Sequence, residues 1–187
     1  MSQGVHAGTL SGVAAFLSTT VAVQLPTESG AIVLRPETAA DGGFLAALFR
    51  GTAHAELALL SADDATKEAL VRMQFASQTA SYRGQFPHAR FDIVERAGEA
   101  IGRLVVDPGG ETGCIVDFAL LPDRRARGLG TAILRAVLAR FAAAQRRVLC
   151  KVLAGNEPSL RMCRRVGFTE VEVVPPFLQL ERRPPVS

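Results

Sequence analysis

The sequence contains few of the residues on which disulfide-linked and metal-binding proteins depend. Its 187 residues include three cysteines and three histidines. Cys114, Cys150 and Cys163 lie in apolar runs and form no C-x-x-C pair, which argues against a disulfide framework and against a zinc site. The histidines show no spacing typical of a metal site or a catalytic triad. We therefore expect no metal and a reducing, cytoplasmic environment.

The sequence also lacks a long apolar run. The mildly apolar stretch at residues 12–23 is interrupted by a Ser-Thr-Thr sequence and follows no basic residue, so it resembles neither a membrane span nor a signal peptide. Its surroundings are rich in Gly, Ser and Thr. We expect residues 1–30 to be an N-terminal extension, either flexible or a docking arm, and residues 31–187 to form one domain without a membrane partner.

The charge balance is only mildly basic. There are 21 basic and 18 acidic residues, a formal net charge of +3 and a pI near 9.1, with 48% hydrophobic residues. This composition is typical of a globular domain with a substantial core. The small positive excess suits an anionic ligand and does not by itself indicate nucleic acid. We expect no nucleic-acid partner.

The most informative segment follows an apolar, strand-like run at residues 115–121. Pro122 comes next, then the basic glycine-containing loop 124–130, and then an amphipathic run from Thr131 with apolar residues at a three-four spacing. Glycines let the main chain approach a phosphate closely, and the start of a helix offers free N–H groups and partial positive charge. The pattern predicts a strand, a phosphate-binding loop and a helix.

Two familiar phosphate-binding motifs are excluded at this loop. A Walker motif requires a lysine and then Ser or Thr after its last glycine, and Gly130 is followed directly by Thr131. A dinucleotide-binding fingerprint requires G-x-G-x-x-G and an acidic residue about 20 positions further on, and neither is present. The loop instead has the spacing R-x-x-G-x-G, formed by Arg125, Gly128 and Gly130.

A second motif lies downstream of the loop. Asn156 and Ser159 have the spacing N-x-x-S, which begins a helix that ends at Gly167-Phe168. With both motifs in place, the chain resembles the GCN5-related N-acetyltransferase (GNAT) superfamily from about residue 101 to residue 168. Members of that superfamily bind acetyl-CoA on an R-x-x-G-x-G/A loop.

The resemblance implies a mixed α/β (α+β) fold with helices on both faces of a mostly antiparallel central sheet of about seven strands. The residue pattern predicts the same architecture. Strands are predicted at 32–35, 91–96, 101–106, 113–121, 147–153, 168–174 and 177–181. Helices are predicted at 38–50, at 65–82, from 131 and from 156, and residues 52–64 are predicted as a loop or short helix with Ser61 and Asp63-Asp64 as candidate caps.

The resemblance implies that acetyl-CoA is the cosubstrate. The glycine loop would hold its pyrophosphate, with added charge from Arg125 or Arg127, and the strand before the loop would line the acetyl and pantetheine arm. Asn156 and Ser159 would meet the pantetheine, although Asn-Glu-Pro-Ser is also a good helix start. The expected cofactor-binding residues are Phe118, Ala119, Leu120, Arg125, Ala126, Arg127, Gly128, Leu129, Gly130, Thr131, Asn156 and Ser159.

Three residues are candidates for proton transfer. Asp117 is the only acid in an apolar strand and is either a group that binds or deprotonates the amine or a structural hydrogen-bonding residue. Many relatives have a tyrosine seven residues after the motif asparagine, and here that position is Cys163, either a proton donor to the thiolate or a packing residue. Tyr82, the only tyrosine, is the other candidate donor, and water is the alternative source of that proton.

The acceptor side is less well defined by the sequence. Met73, Gln78, Tyr82 and Phe177 are the expected substrate-binding residues, with Phe86 a further wall residue. The predicted activity is direct attack of a primary amine, from a small molecule or a peptide, on the acetyl-CoA thioester, in a protein that could be a homodimer. The alternative is a non-catalytic module that binds or senses acyl-CoA.

Overall fold

The computed structural model describes residues 22–27, 30–58, 63–109 and 111–185, and for residues 53–58 it describes the main chain alone. Most of the predicted N-terminal extension (residues 1–21 and 28–29) and residues 59–62 of the predicted loop lie outside the described residues.

The described residues form four α-helices and one eight-stranded sheet. The helices are α1 (Gly42–Ala58), α2 (Asp64–Gln85), α3 (Leu129–Ala143) and α4 (Glu157–Arg165), and short 3₁₀ turns at Ala39–Asp41 and Pro122–Arg124 precede α1 and α3. The strands are β1 (Val23–Leu25), β2 (Ile32–Pro36), β3 (Arg90–Arg96), β4 (Glu99–Asp107), β5 (Thr112–Leu120), β6 (Arg147–Leu153), β7 (Thr169–Val174) and β8 (Phe177–Arg182).

The sheet has the order β1-β2-β3-β4-β5-β6-β8-β7. Every neighbouring pair is antiparallel except β5 and β6, which are parallel. The predicted mixed, mostly antiparallel sheet is therefore confirmed, as are the β3–β4 hairpin and the parallel placement of β6 beside β5. The eighth strand is β1, which pairs with β2 from within the predicted extension.

The helices also begin near the predicted positions, with one clear difference. α2 starts after Asp63, whose side chain accepts a hydrogen bond of 2.7 Å from the Thr66 amide, so Asp63 is the one of the three candidate caps that is confirmed. α1 continues to Ala58, whereas residues from 52 onward were predicted to be a loop or short helix. Ala-rich sequence with no Pro sustains helix through this segment.

The two parallel strands separate before they end. β5 and β6 pair only from Thr112 with Arg147 to Ile115 with Cys150, although β5 continues to Leu120 and β6 to Leu153. A bulge in β5 opposite Val105 and Val106 bends the strand at the same place. The result is a wedge in the middle of the sheet, where the facing edges carry main-chain groups without a strand partner.

The sheet separates two apolar layers of unequal size. The larger core packs α3 and α4 against one face, with Ile133, Val137 and Leu160 fully buried. On the opposite face, Tyr82 of α2 and Phe86, which follows the last residue of α2, pack against a smaller cluster that contains Phe91 and Val105. The wedge between β5 and β6 therefore lies between two differently built layers.

Asp41 anchors the start of α1, and its removal should weaken the fold. Its carboxylate accepts hydrogen bonds from Arg35 at 2.7 and 2.9 Å and from the main-chain amide and hydroxyl of Thr38 at 2.7 and 2.9 Å. These contacts, led by the Arg35 bond, hold the pKa of Asp41 far below its usual value despite its burial.

We expect Asp41→Asn to lower the free energy of unfolding by about 1–3 kcal/mol at pH 7. Because the folded-state pKa is depressed, this contribution is present above the unfolded pKa of about 3.9 and is lost as the pH falls toward the folded value. Urea unfolding at pH 7 and at lower pH measures it. The exposed Asp64→Asn serves as control, and equal stability of Asp41→Asn and wild type at pH 7 would refute this role.

Candidate active site

The glycine loop has the conformation of an anion-binding turn. Ala126 and Gly128 both have positive φ, at 59° and 75°, whereas Arg127 between them does not. The backbone therefore alternates between left-handed and right-handed conformations just before α3 begins. Gly128 occupies the N-cap position in the left-handed region, and a Cβ added there would meet nothing within 4 Å. Successive residues with alternating left- and right-handed backbone conformations point their N–H groups toward one concavity, which can bind an anion.

The N–H groups of this loop have no partners among the residues that the structure describes. No hydrogen bond from the main-chain amides of residues 126–131 to any described residue is present, while the flanking amides of Arg125 and Ala132 donate to Pro122 and Gly128. The first turn of α3 adds the partial positive charge of the helix N-terminus. The loop is therefore free to donate several hydrogen bonds to an anion.

The arginines of the loop divide into two groups. Arg125 turns inward, and its Nε donates to the Leu120 carbonyl oxygen at 2.8 Å. Arg127 instead lines a cavity of about 230 Å³ with Arg96, Arg124 and Leu129. Of the two arginines predicted to add charge, Arg127 faces a cavity and Arg125 braces the loop.

A cleft passes through the wedge between β5 and β6. Its cavity volume is about 160 Å³ and its walls come from α2, β5, β6, α3 and α4. Among the predicted site residues, the cleft brings together Tyr82, Asp117, Phe118, Asn156, Ser159 and Cys163. It thus connects the layer that carries α2 to the layer that carries α3 and α4.

Asp117 lies on the α2 side of the cleft beside a buried arginine. The Arg103 Nη1 atom is 3.8 Å from the Asp117 carboxylate, and Arg103 Nε donates to Glu37 at 3.2 Å. Burial raises the pKa of Asp117, and the attraction of Arg103 only partly opposes the shift. Asp117 is thus a carboxylate that releases its proton less readily than an exposed aspartate.

Tyr82 faces the same part of the cleft. Burial and the nearby charge of Asp117 raise the pKa of Tyr82 to about 12. The phenol therefore keeps its proton at neutral pH. A proton acceptor and a proton donor are thus both present at one end of the cleft.

The opposite side of the cleft is formed by α4. Asn156 caps this helix, since its side-chain oxygen accepts a hydrogen bond of 3.2 Å from the Ser159 amide. The predicted helix-start role is therefore confirmed, and it coexists with a place in the cleft wall. Cys163, one turn after Ser159, is buried with its Sγ atom 4.0 Å from that of Cys150 on β6.

Several predicted site residues lie outside the cleft. Ala119 and Leu120 do not line it, and Leu120 is buried in the core. The proposed acceptor residues Met73, Gln78 and Phe177 are absent from its wall as well, and Met73 is 61% exposed on α2.

Sequence reasoning missed four charged residues at this site. Arg103 and Lys151 are charged residues in otherwise apolar strands, the same signal that identified Asp117. Lys151 lines the cleft and Arg96 the basic cavity. Glu37 gives no such signal, because its contact with Arg103 joins positions far apart in the sequence.

The described part of the chain contains neither a membrane-spanning helix nor a metal-binding cluster. None of its helices combines the length and apolar character that crossing a membrane requires. No group of three or more His, Cys, Asp or Glu side chains is arranged to hold a metal ion within the ranges that the structure covers.

Comparison with known families places this geometry in context. The sequence model of the acetyltransferase (GNAT) family matches residues 57–168, which is more than half of the chain and includes the loop, the wedge and α4. Among curated protein sequences, none matches the chain.

Solved structures of the same architecture include two with bound ligands. The chain is similar to PaiA N-acetyltransferase from Thermoplasma acidophilum in complex with coenzyme A, with a TM-score of 0.61 and 14% identity over 81% of this chain and 98% of that chain. It is similar to Mycobacterium smegmatis RimJ in complex with CoA-disulfide, with a TM-score of 0.61 and 21% identity over 87% and 86%.

A third similar structure is apo RimL, a ribosomal alpha-N-protein acetyltransferase, with a TM-score of 0.60 and 15% identity over 89% of this chain and 97% of that chain. At these identities the likeness establishes the fold and leaves the acceptor open.

Proposed function

The chain belongs to the acetyltransferase (GNAT) family, and on that premise we propose that it transfers the acetyl group of acetyl-CoA to a primary amine of a small molecule or a peptide. The amine attacks the thioester directly, without a covalent enzyme intermediate. The similarity to PaiA and RimL, both N-acetyltransferases, supports an amine acceptor.

The observation that carries this proposal is the set of amides at residues 126–131 without a partner among the described residues. The loop adjoins the cleft that contains Asp117 and Tyr82, because a Cβ added at Gly130 would lie 3.0 Å from Met162 and 3.5 Å from Phe118, two residues of the cleft wall. An extended ligand with a diphosphate at one end and a reactive thioester at the other suits that arrangement. The complexes of PaiA with coenzyme A and of RimJ with CoA-disulfide show that related folds hold such a ligand.

We assign the proton transfers as follows. Asp117 receives a proton from the amine as the new nitrogen–carbon bond forms, and Arg103 orients its carboxylate. The carbon–sulfur bond then breaks, and Tyr82 donates a proton to the departing thiolate. Main-chain N–H groups of β5 that face the wedge, where pairing with β6 has ended at Ile115, stabilise the negative charge that develops on the thioester oxygen.

The activity is tested by measuring thiol release from acetyl-CoA in the presence of a panel of primary amines, amino acids and short peptides. We expect acceptor-dependent release with formation of the N-acetyl product. Coenzyme A binding without turnover on any acceptor would contradict the transferase and favour an acyl-CoA-binding module.

We expect Tyr82→Phe to lower kcat by about 10- to 100-fold, because the thiolate then has to take its proton from water; this lies at the lower end of general acid catalysis. The Kd for coenzyme A should stay unchanged. Ser81→Ala, an exposed neighbour on α2, is the control. A kcat equal to wild type at saturating substrates would rule out Tyr82 as the proton donor.

A further inference from the structure

Two cysteines form a close pair within the cleft. The Sγ atoms of Cys150 and Cys163 are 4.0 Å apart, and both residues are free thiols with 5% exposure. Cys150 lies on β6 at the last position that pairs with β5, opposite Ile115, and Cys163 lies on α4. The thiol pair therefore spans the two elements that meet where the wedge opens.

The distance places the pair within reach of a covalent bond. A disulfide requires about 2.05 Å between the sulfurs, so the side chains have to close about half of the present separation. Because the Cys150 thiol can donate its hydrogen to the neighbouring sulfur, it lowers the pKa of Cys163, while the pKa of Cys150 is raised. Cys163 is thus the more readily ionised sulfur and the better candidate for the first attack.

We propose that Cys163 and Cys150 form a dithiol that reduces the disulfide of coenzyme A. The inference rests on the proposed function, because the cleft has to hold the thiol end of coenzyme A beside Cys163. The oxidant is the symmetrical disulfide of coenzyme A, or a mixed disulfide of coenzyme A with a small thiol.

The exchange takes two balanced steps. The Cys163 thiolate attacks the disulfide, a Cys163–coenzyme A bond forms, and one coenzyme A thiolate leaves. Cys150 then attacks the Cys163 sulfur, the protein disulfide forms, and the second coenzyme A thiolate leaves. Two protein thiols are oxidised, one disulfide is reduced to two thiols, and the protons lost by the cysteines go to the released thiolates.

The oxidised protein has a changed cleft. A disulfide would tie α4 covalently to β6, and α4 and its N-cap carry Ser159 and Asn156 in the cleft wall. Acetyl transfer should therefore fall several-fold in the oxidised protein and recover after reduction with dithiothreitol.

The test follows the intact mass of the fully reduced full-length protein after addition of coenzyme A disulfide, together with the coenzyme A thiol released. Wild type should lose two hydrogens and release two thiols per chain. Cys150→Ser should instead accumulate a stable coenzyme A adduct on Cys163, and Cys163→Ser should give neither product. Cys114→Ser is the matched control and should behave as wild type, since Cys114 is outside the cleft wall.

Two results separate this inference from the proposed function. If coenzyme A binds by calorimetry but wild type stays reduced, or if Cys163→Ser still forms the adduct, the dithiol role is refuted and the transferase is untouched. If oxidised glutathione reacts as fast as coenzyme A disulfide, recognition of coenzyme A by the pair is refuted. Absence of coenzyme A binding would overturn the proposed function itself.

Discussion

Gly128→Asp is expected to weaken coenzyme A binding by at least about 100-fold while leaving the protein folded. The new carboxylate would stand at the N-cap of α3, beside amides that should face the pyrophosphate. Two like charges about 4 Å apart repel by about 4 kcal/mol at the effective dielectric of a protein surface, and salt reduces this. After salt screening, we expect the repulsion to lower the binding free energy of coenzyme A by about 2.7 kcal/mol, which corresponds to a 100-fold increase in Kd.

The structure also provides a matched control at this position. Gly128→Asn adds a side chain of the same shape without charge, and Asn tolerates the left-handed conformation that Gly128 adopts. Open space around the position allows both variants to fold with a similar thermal midpoint. Calorimetric titration should show a far smaller loss for Asn than for Asp, and equal losses would mean that charge at this loop is irrelevant.

Asp117→Asn is expected to lower kcat/KM for the amine by about 10²- to 10⁴-fold, the range typical of a lost general base. The Kd for coenzyme A should be unchanged, because the glycine loop is untouched. Asp64→Asn, an exposed aspartate in the first turn of α2, is the control and should retain wild-type kinetics. An unimpaired Asp117→Asn enzyme would leave Asp117 with only a structural role.

The pH profile gives this prediction a second readout. Burial raises the pKa of Asp117, so the ionised form that accepts a proton is lost at a higher pH than for an exposed aspartate. Wild-type activity should fall as the pH drops through that raised pKa. The acid limb assigned to Asp117 should be missing from the profile of the variant, whose amide does not titrate.

The local parts of the site could be predicted from the sequence because they depend on neighbouring residues. The strand, loop and helix around Gly128 follow from glycine spacing and apolar periodicity, and the Asn156 cap follows from side-chain chemistry. The extent of the wedge could not be predicted, because it depends on where the pairing of β5 and β6 stops. That point is set by packing across the whole sheet.

Contacts between distant segments were equally hidden from sequence reasoning. Arg103 and Glu37 are 66 positions apart in the sequence. Arg103 lies on β4 and Glu37 directly follows β2, and the two residues meet because only β3 separates these strands in the sheet. The approach of Cys150 to Cys163 depends on how α4 packs against β6. In both cases the residue types were visible in the sequence, but their partners were not.

The central claim is that the main-chain amides of residues 126–131 bind the diphosphate of coenzyme A. Amide nitrogen–proton correlation spectra, recorded during a titration with coenzyme A, test it most directly. These amides should shift most, in a saturable manner, and 3′,5′-diphosphoadenosine, which lacks the pyrophosphate, should shift them far less. Saturable binding that leaves these amides unshifted, or no binding at all, would contradict it.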